Sequence, residues 1–153
     1  MEMAQVTDAH RKLERLTGRW TGPEKMHPAP WDPTGGPATG NVDNRTALDG
    51  FAVVQDYFQE RGGAISFRGH GVMYHDATRQ DYVMDWLDSM GGPRSEFRGQ
   101  FEGDVLKLTS NGPMGLCRCS FDLAKPGAYA FLMEVSPDGQ QWFPAMEGSY
   151  TKS

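Results

Sequence analysis

The sequence predicts an all-β fold, a single antiparallel up-and-down β-barrel of about ten strands behind a short N-terminal helix. Turn signals recur roughly every dozen residues, at Asp49-Gly50, Gly62-Gly63, Asp76-Ala77-Thr78, Gly91-Gly92-Pro93, Gly103-Asp104, Asn111-Gly112-Pro113, Lys125-Pro126-Gly127 and Asp138-Gly139. Between them lie short stretches rich in Phe, Tyr, Trp, Val and Met. That rhythm spells a meander of hairpins. A meander this long must hide its edges, and closing on itself does so. A closed wall has an interior, so the expected role is holding something inside it.

Bulk composition agrees with this. The 153 residues suit one domain covering 1–153. Hydrophobic residues make up only 38%, which fits a wall with one apolar face better than a sheet buried on both faces. Eight Phe, five Tyr, four Trp and nine Met supply large or adaptable fillers. The net charge of −5, with Lys and Arg scattered, argues against nucleic acid and anionic membrane surfaces as partners. No apolar run approaches the ~18–20 residues of a membrane span. Residues 1–11 are polar and lack a signal-peptide core, so a cytoplasmic location is the default expectation.

The elements follow in order. Thr7 is an N-cap candidate for a helix over about 7–16, with Asp8 placed for the helix dipole and Leu13 and Leu16 on one face. Thr17-Gly18 ends it, and Arg19 to Gly22 opens the first strand with Trp20 pointing inward. Residues 23–37 hold five prolines, which predicts a long loop rather than a strand. Trp31 and His27 within it point to a lid over a barrel mouth. Nine further strands are expected near 38–48, 51–60, 64–74, 81–88, 95–102, 105–110, 115–122, 128–136 and 141–151. The alternation is clearest in Tyr129, Phe131, Met133 and Val135 against Ala130, Leu132, Glu134 and Ser136.

Several segments carry a family resemblance. Leu16-Thr17-Gly18-Arg19-Trp20-Thr21-Gly22 is similar to the opening of calycin barrels, the group of lipocalins and fatty-acid-binding proteins, in which the Trp plugs one end. Met26-His27-Pro28-Ala29-Pro30-Trp31-Asp32, Arg45-Thr46-Ala47-Leu48-Asp49-Gly50-Phe51, Gln55-Asp56-Tyr57-Phe58-Gln59-Glu60-Arg61, Gly69-His70-Gly71-Val72, Glu134-Val135-Ser136-Pro137-Asp138-Gly139 and Glu147-Gly148-Ser149-Tyr150 extend the likeness. Together they resemble a family of small bacterial proteins catalogued as a domain of unknown function with a calycin-like barrel. The opening also resembles nitrobindin-like barrels, where a late His holds haem iron. Here His75 is the last histidine, so the sequence departs from that pattern and no haem ligand transfers.

The candidate site residues are Trp20, His27, Trp31, Tyr57, His70, Trp86, Arg98, Arg118, Phe131 and Tyr150. They would line a pocket for a small hydrophobic or amphipathic ligand, with His27 and Trp31 in the lid. If Arg98, Arg118 or the Arg68–His70 face points inward, a guanidinium fork would suit a fatty-acid-like carboxylate. Two other arrangements compete: an inward arginine satisfied without a ligand by Glu134 or Glu147 as internal partner, and an outward Arg68–His70 pair at a glycine-relieved bend. Glycines flanking His70 mark a bend or a close approach. His10 lies on a polar helix face and is expected in solvent. His70 and His75 fall on opposite strand faces, so no metal site is assigned, and no cofactor is called for.

Cys117 and Cys119 share one strand face at a spacing that disfavours a disulfide. They are expected as small buried hydrophobes, with redox or metal work as the alternative. No catalytic residue is assigned, because neither a Gly-x-Ser-x-Gly elbow nor a phosphate loop is present. An isomerase or hydrolase using His70 or His27 as base is the competing expectation. A homodimer through an outward barrel face is a third.

Overall fold

The computed structural model describes residues 2–112 and 115–153. Helix α1 (Asp8–Leu13) runs on as a 3-10 turn, Glu14–Leu16. Thr7 caps it from an extended conformation, and its backbone N–H donates to His10 Nδ1 at 2.9 Å. His10, Leu13 and Leu16 recur every three positions, so all three turn inward. His10 is therefore buried rather than solvated as expected. Its ring meets Phe51 edge-on at 5.0 Å and His75 at 5.7 Å.

Ten strands follow: β1 (Gly18–Met26), β2 (Gly36–Ala47), β3 (Ala52–Arg61), β4 (Ala64–Asp76), β5 (Asp81–Asp88), β6 (Ser95–Glu102), β7 (Val105–Gly112), β8 (Gly115–Asp122), β9 (Ala128–Ser136) and β10 (Phe143–Lys152). Each pairs antiparallel with the next, and β10 returns to β1, closing the barrel. The hairpin turns use the expected glycines at positive φ, among them Gly62, Gly63, Gly103 and Gly127. No helix among the described residues is long and apolar enough to cross a membrane.

The expected loop over 23–37 is shorter than the prolines imply. β1 extends to Met26 and β2 begins at Gly36, leaving residues 27–35 between them. Pro23 is tolerated in β1 because the ladder to β10 steps from Thr21↔Thr151 to Glu24↔Gly148, with no registered pair at Gly22 or Pro23. A proline's missing N–H is not needed there. The loop itself folds back at Ala29 and Asp32, which exchange two backbone hydrogen bonds of 2.9 Å. Arg61 clamps it to β3, donating to Asp32 at 2.8 Å and to the Gly35 carbonyl at 2.7 Å.

The two ends of the barrel differ. α1 plugs one end, with Leu13 and Leu16 packed in a buried cluster that includes Trp20, Val42, Val53, Met73, Tyr82 and Leu106. Trp20 Nε1 and Asn44 Nδ2 both donate to the Leu16 carbonyl at 2.9 Å, which satisfies the end of the short helix. Tyr82 donates to the Ala9 carbonyl at 2.7 Å. Trp20 thus stands at the plugged end. At the other end, where the 27–35 loop lies, inward-pointing apolar side chains are only half-buried.

Candidate functional site

Strand alternation decides which side chains face the interior. Glu24 comes two residues after Gly22 and four after Trp20, so it points in, and it is 4% exposed. The side chains of Tyr57 and Gln59 on β3 and Tyr150 on β10 converge on it. Tyr57 donates to the carboxylate at 2.7–2.8 Å, Tyr150 at 2.5 Å and Gln59 Nε2 at 3.1 Å. Room for the carboxylate comes from Gly40, where a Cβ would stand 2.3 Å from Glu24 Oε2. Gly148 makes the same allowance for the Tyr150 hydroxyl.

These groups carry unusual electrostatics. Burial pushes the Glu24 carboxyl above its ordinary range, and the hydrogen bonds from Tyr150, Tyr57 and Gln59 pull back against it. Burial and the adjacent carboxylate push the Tyr57 and Tyr150 hydroxyls well up, so both remain protonated donors. No salt bridge to Glu24 exists among the described residues. The interior therefore holds a carboxyl satisfied by neutral donors alone.

Around this polar floor, toward the end opposite α1, stand Met26, Phe67, Trp86, Phe131 and Met133, all half-buried against the core. Trp86 is fixed at two points. Its Nε1 donates to Asp88 at 2.9 Å, and its ring lies over Gly69 and Gly71, where an added Cβ would meet it at 2.2 Å and 3.2 Å. The Gly-His-Gly run thus marks the close approach of an indole ring. Tyr57 lies 6.0 Å from Phe67 and 6.4 Å from Trp86, centroid to centroid, linking the apolar wall to the floor.

Of the residues expected from sequence, Tyr57, Trp86, Phe131 and Tyr150 gather here. The others do not. His70, Arg98 and Arg118 stand on the outer face, because their inward neighbours in alternation are Gly69 and Gly71, Phe97, and Cys117 and Cys119. Each finds its partners outside. Arg98 donates to Glu96 at 2.9 Å and Asp81 at 2.8 Å, with Asp76 at 3.2 Å. Arg118 donates to Glu134 at 2.9 Å and lies 4.1 Å from the Trp142 ring centroid. His70 Nδ1 and Arg45 both hold Asp56 at 2.7 Å, and that carboxyl is lowered, by Arg45 first and His70 second. An inward guanidinium for an anionic head group is therefore not supplied by these positions.

His27 bonds Glu147 at 2.6 Å, and Trp31 sits 38% exposed in the clamped loop. Glu147 lines a shallow external groove of about 260 Å³ with Pro23, Glu24, Lys25, Gly148 and Ser149. Neither the His27 nor the His70 pair reaches a nucleophilic side chain among the described residues. Sequence reasoning missed Glu24 and Gln59. The signal was the in-phase spacing of Trp20, Gly22, Glu24 and Met26, obscured by Pro23.

Comparison with known proteins places the architecture. The crystal structure of Rv2717c from M. tuberculosis superposes with a TM-score of 0.72 at 13% identity, covering 97% of this chain and 99% of that one. The S-type phycobiliprotein lyase CPES from Guillardia theta superposes with a TM-score of 0.60 at 11% identity, covering 98% of each chain. Both likenesses are of fold. No curated protein matches the sequence. Residues 5–152 match a family described as a protein of unknown function, DUF1579, and the chain belongs to that family.

Proposed function

We propose that the barrel binds a small, partly apolar ligand through its open end. The apolar part would lie against Trp86, Phe67, Phe131, Met26 and Met133, and a polar end would reach the Glu24–Tyr57–Gln59 floor. The observation that supports this most directly is the buried carboxyl beneath half-exposed apolar walls. A well-sealed core has no use for so costly a group. The resemblance of the sequence to calycin barrels supports the same reading, and one solved structure of similar fold is named as a phycobiliprotein lyase.

The chemistry of the floor favours a ligand that donates a hydrogen bond or carries positive charge. A carboxyl acceptor without a cation partner would repel a fatty-acid carboxylate and welcome an amine or hydroxyl. Quenching of Trp86 fluorescence by dodecylamine and by dodecanoate separates the two. The amine is expected to bind tighter, and Glu24→Gln to erase the preference. Failure of both probes to bind, with bare protein throughout native mass spectrometry, overturns the proposal.

A further inference from the structure

A second recess lies at the α1 end of the barrel. It is a cleft of about 250 Å³ between the 3-10 turn and the β8–β9 connection, and Arg15, Trp20, Leu123, Lys125, Pro126 and Gly127 are among the residues that line it. Hydrogen bonds hold its walls. The Leu123 N–H donates to the Asp104 carbonyl at 2.9 Å, the Ala128 N–H to the Lys125 carbonyl at 3.2 Å and the Lys152 N–H to the Gly127 carbonyl at 3.0 Å. Arg15 Nη2 donates to the Leu123 carbonyl at 2.9 Å, which ties the helical turn to the same connection. The cleft is therefore preformed, and a ligand entering it is spared the cost of ordering a mobile loop.

Cations gather around it from three elements. Arg15 meets Asp104 at 3.1 Å through the same Nη2 that holds Leu123, so its Nε and Nη1 have no protein acceptor among the described residues. Lys152 is the Cα partner of Trp20, and its Nζ stands 5.2 Å from the centroid of that ring. Neither Lys125 nor Lys152 forms an ion pair among the described residues. The acids nearby are Asp104 and Asp122, and Asp122 is engaged by the Ala124 N–H at 3.0 Å. Cations thus outnumber acids here, on a chain of net charge −5. Such a recess draws in an anion.

We propose that this cleft binds a small aromatic carboxylate. The carboxylate would accept hydrogen bonds from the Nε or Nη1 donors of Arg15 and from Lys125. The ring would lie against Leu123, Pro126 and the indole of Trp20, which supply flat apolar surface. The volume lies below the ~300–1,000 Å³ of sites for drug-sized molecules, which limits the ligand to a compact anion. A guanidinium already anchored through one nitrogen loses little freedom when it takes up a second acceptor. The site goes beyond the Glu24 floor and has the opposite sign. That floor suits a donor or a cation, and this cleft an anion. Along the chain, Arg15, Lys125 and Lys152 are too far apart to read as a site; the closing strand pair and the docked turn bring them together.

Benzoate and benzamide share a shape and differ in charge, so their titration into isotope-labelled protein, followed by NMR, tests this. Benzoate is expected to shift the Trp20 indole N–H, which bonds the Leu16 carbonyl, together with the backbone amides of Lys125 and Gly127. Benzamide should bind roughly tenfold more weakly. Arg15→Gln should weaken benzoate roughly tenfold, and Lys125→Gln, which breaks no clamp, roughly threefold. Lys25→Gln, toward the other end of β1, should change nothing. Equal binding of acid and amide overturns the proposal, as does benzoate that leaves the Trp20 signal unmoved at millimolar concentration. Neither result requires a variant to fold. Displacement of benzoate by dodecylamine would put the acid at the Glu24 floor and overturn the cleft. A protein that ignores dodecylamine and still takes benzoate at Trp20 would support the cleft and sink the floor reading alone.

Discussion

Tyr150 and Glu24 lie 126 positions apart in the chain and meet through a 2.5 Å hydrogen bond inside the barrel. The bond joins the last strand to the first across the closing pair, and Tyr57 and Gln59 complete the same cluster from β3.

Tyr150→Phe removes a donor to a buried carboxylate. The expected cost is about 1.5–3 kcal/mol, read as a lower denaturation midpoint. Losing that hydroxyl also removes a force that lowers the Glu24 carboxyl, so its titration should move further up, visible in the side-chain carbon shift by NMR. The sign of the pH effect follows. Glu24 is raised on folding, so the stability it supports is complete below the ordinary carboxylate range and is lost as pH rises through its folded value. The variant should extend that loss to higher pH.

His10 works in the opposite sense. Burial, then His75, then Arg11 depress its folded value below the ordinary 6.5. Stability from this group is present above pH 6.5 and lost as pH falls through the folded value. Thermal melts between pH 5 and 8 should show the loss. Hydrogen exchange should find it first in α1, which docks through His10. A helix whose protection is flat across this range would contradict the assignment.

Gly69→Ala places a methyl 2.2 Å from the Trp86 ring. The ring is tethered to Asp88 and cannot swing freely, so overpacking of about 1–3 kcal/mol is expected. Trp86 emission should shift toward that of an exposed indole. Gly71→Ala, at 3.2 Å, should do much less.

Arg61→Ala releases the clamp on the 27–35 loop while leaving the strands paired. Proteolysis and backbone exchange should rise within 27–35 and stay unchanged in β3, at a cost of about 1 kcal/mol in global stability. If the loop remains protected, the Ala29–Asp32 bridge alone holds it.

The strand count and most strand limits were legible because most of the described hairpin turns carry glycines that take positive φ, and alternation between turns is local information. Tyr57, Trp86, Phe131 and Tyr150 were legible as inward aromatics for the same reason. Which face of the Arg68–His70 and Arg98 strands looked inward was not, because polarity on those strands does not decide it. The structure settles it through Trp86, which needs Gly69 and Gly71 beneath it. Glu24 was hidden by Pro23 and by partners on β3 and β10. His10 was hidden by its charged neighbours Asp8, Arg11 and Lys12, although its spacing to Leu13 and Leu16 marked the buried side.

Pro23 has a consequence for how the chain folds. The β1–β10 pairing has the greatest separation along the sequence of any neighbouring strands, so its assembly waits on the last segment to form. Until then β1 is an unprotected margin, open to recruitment by another nascent molecule. A proline at that margin denies an intruding strand one donor, and Gly22 beside it contributes no grip. The unregistered step that β10 tolerates in the finished wall thus guards the unfinished one against aggregation.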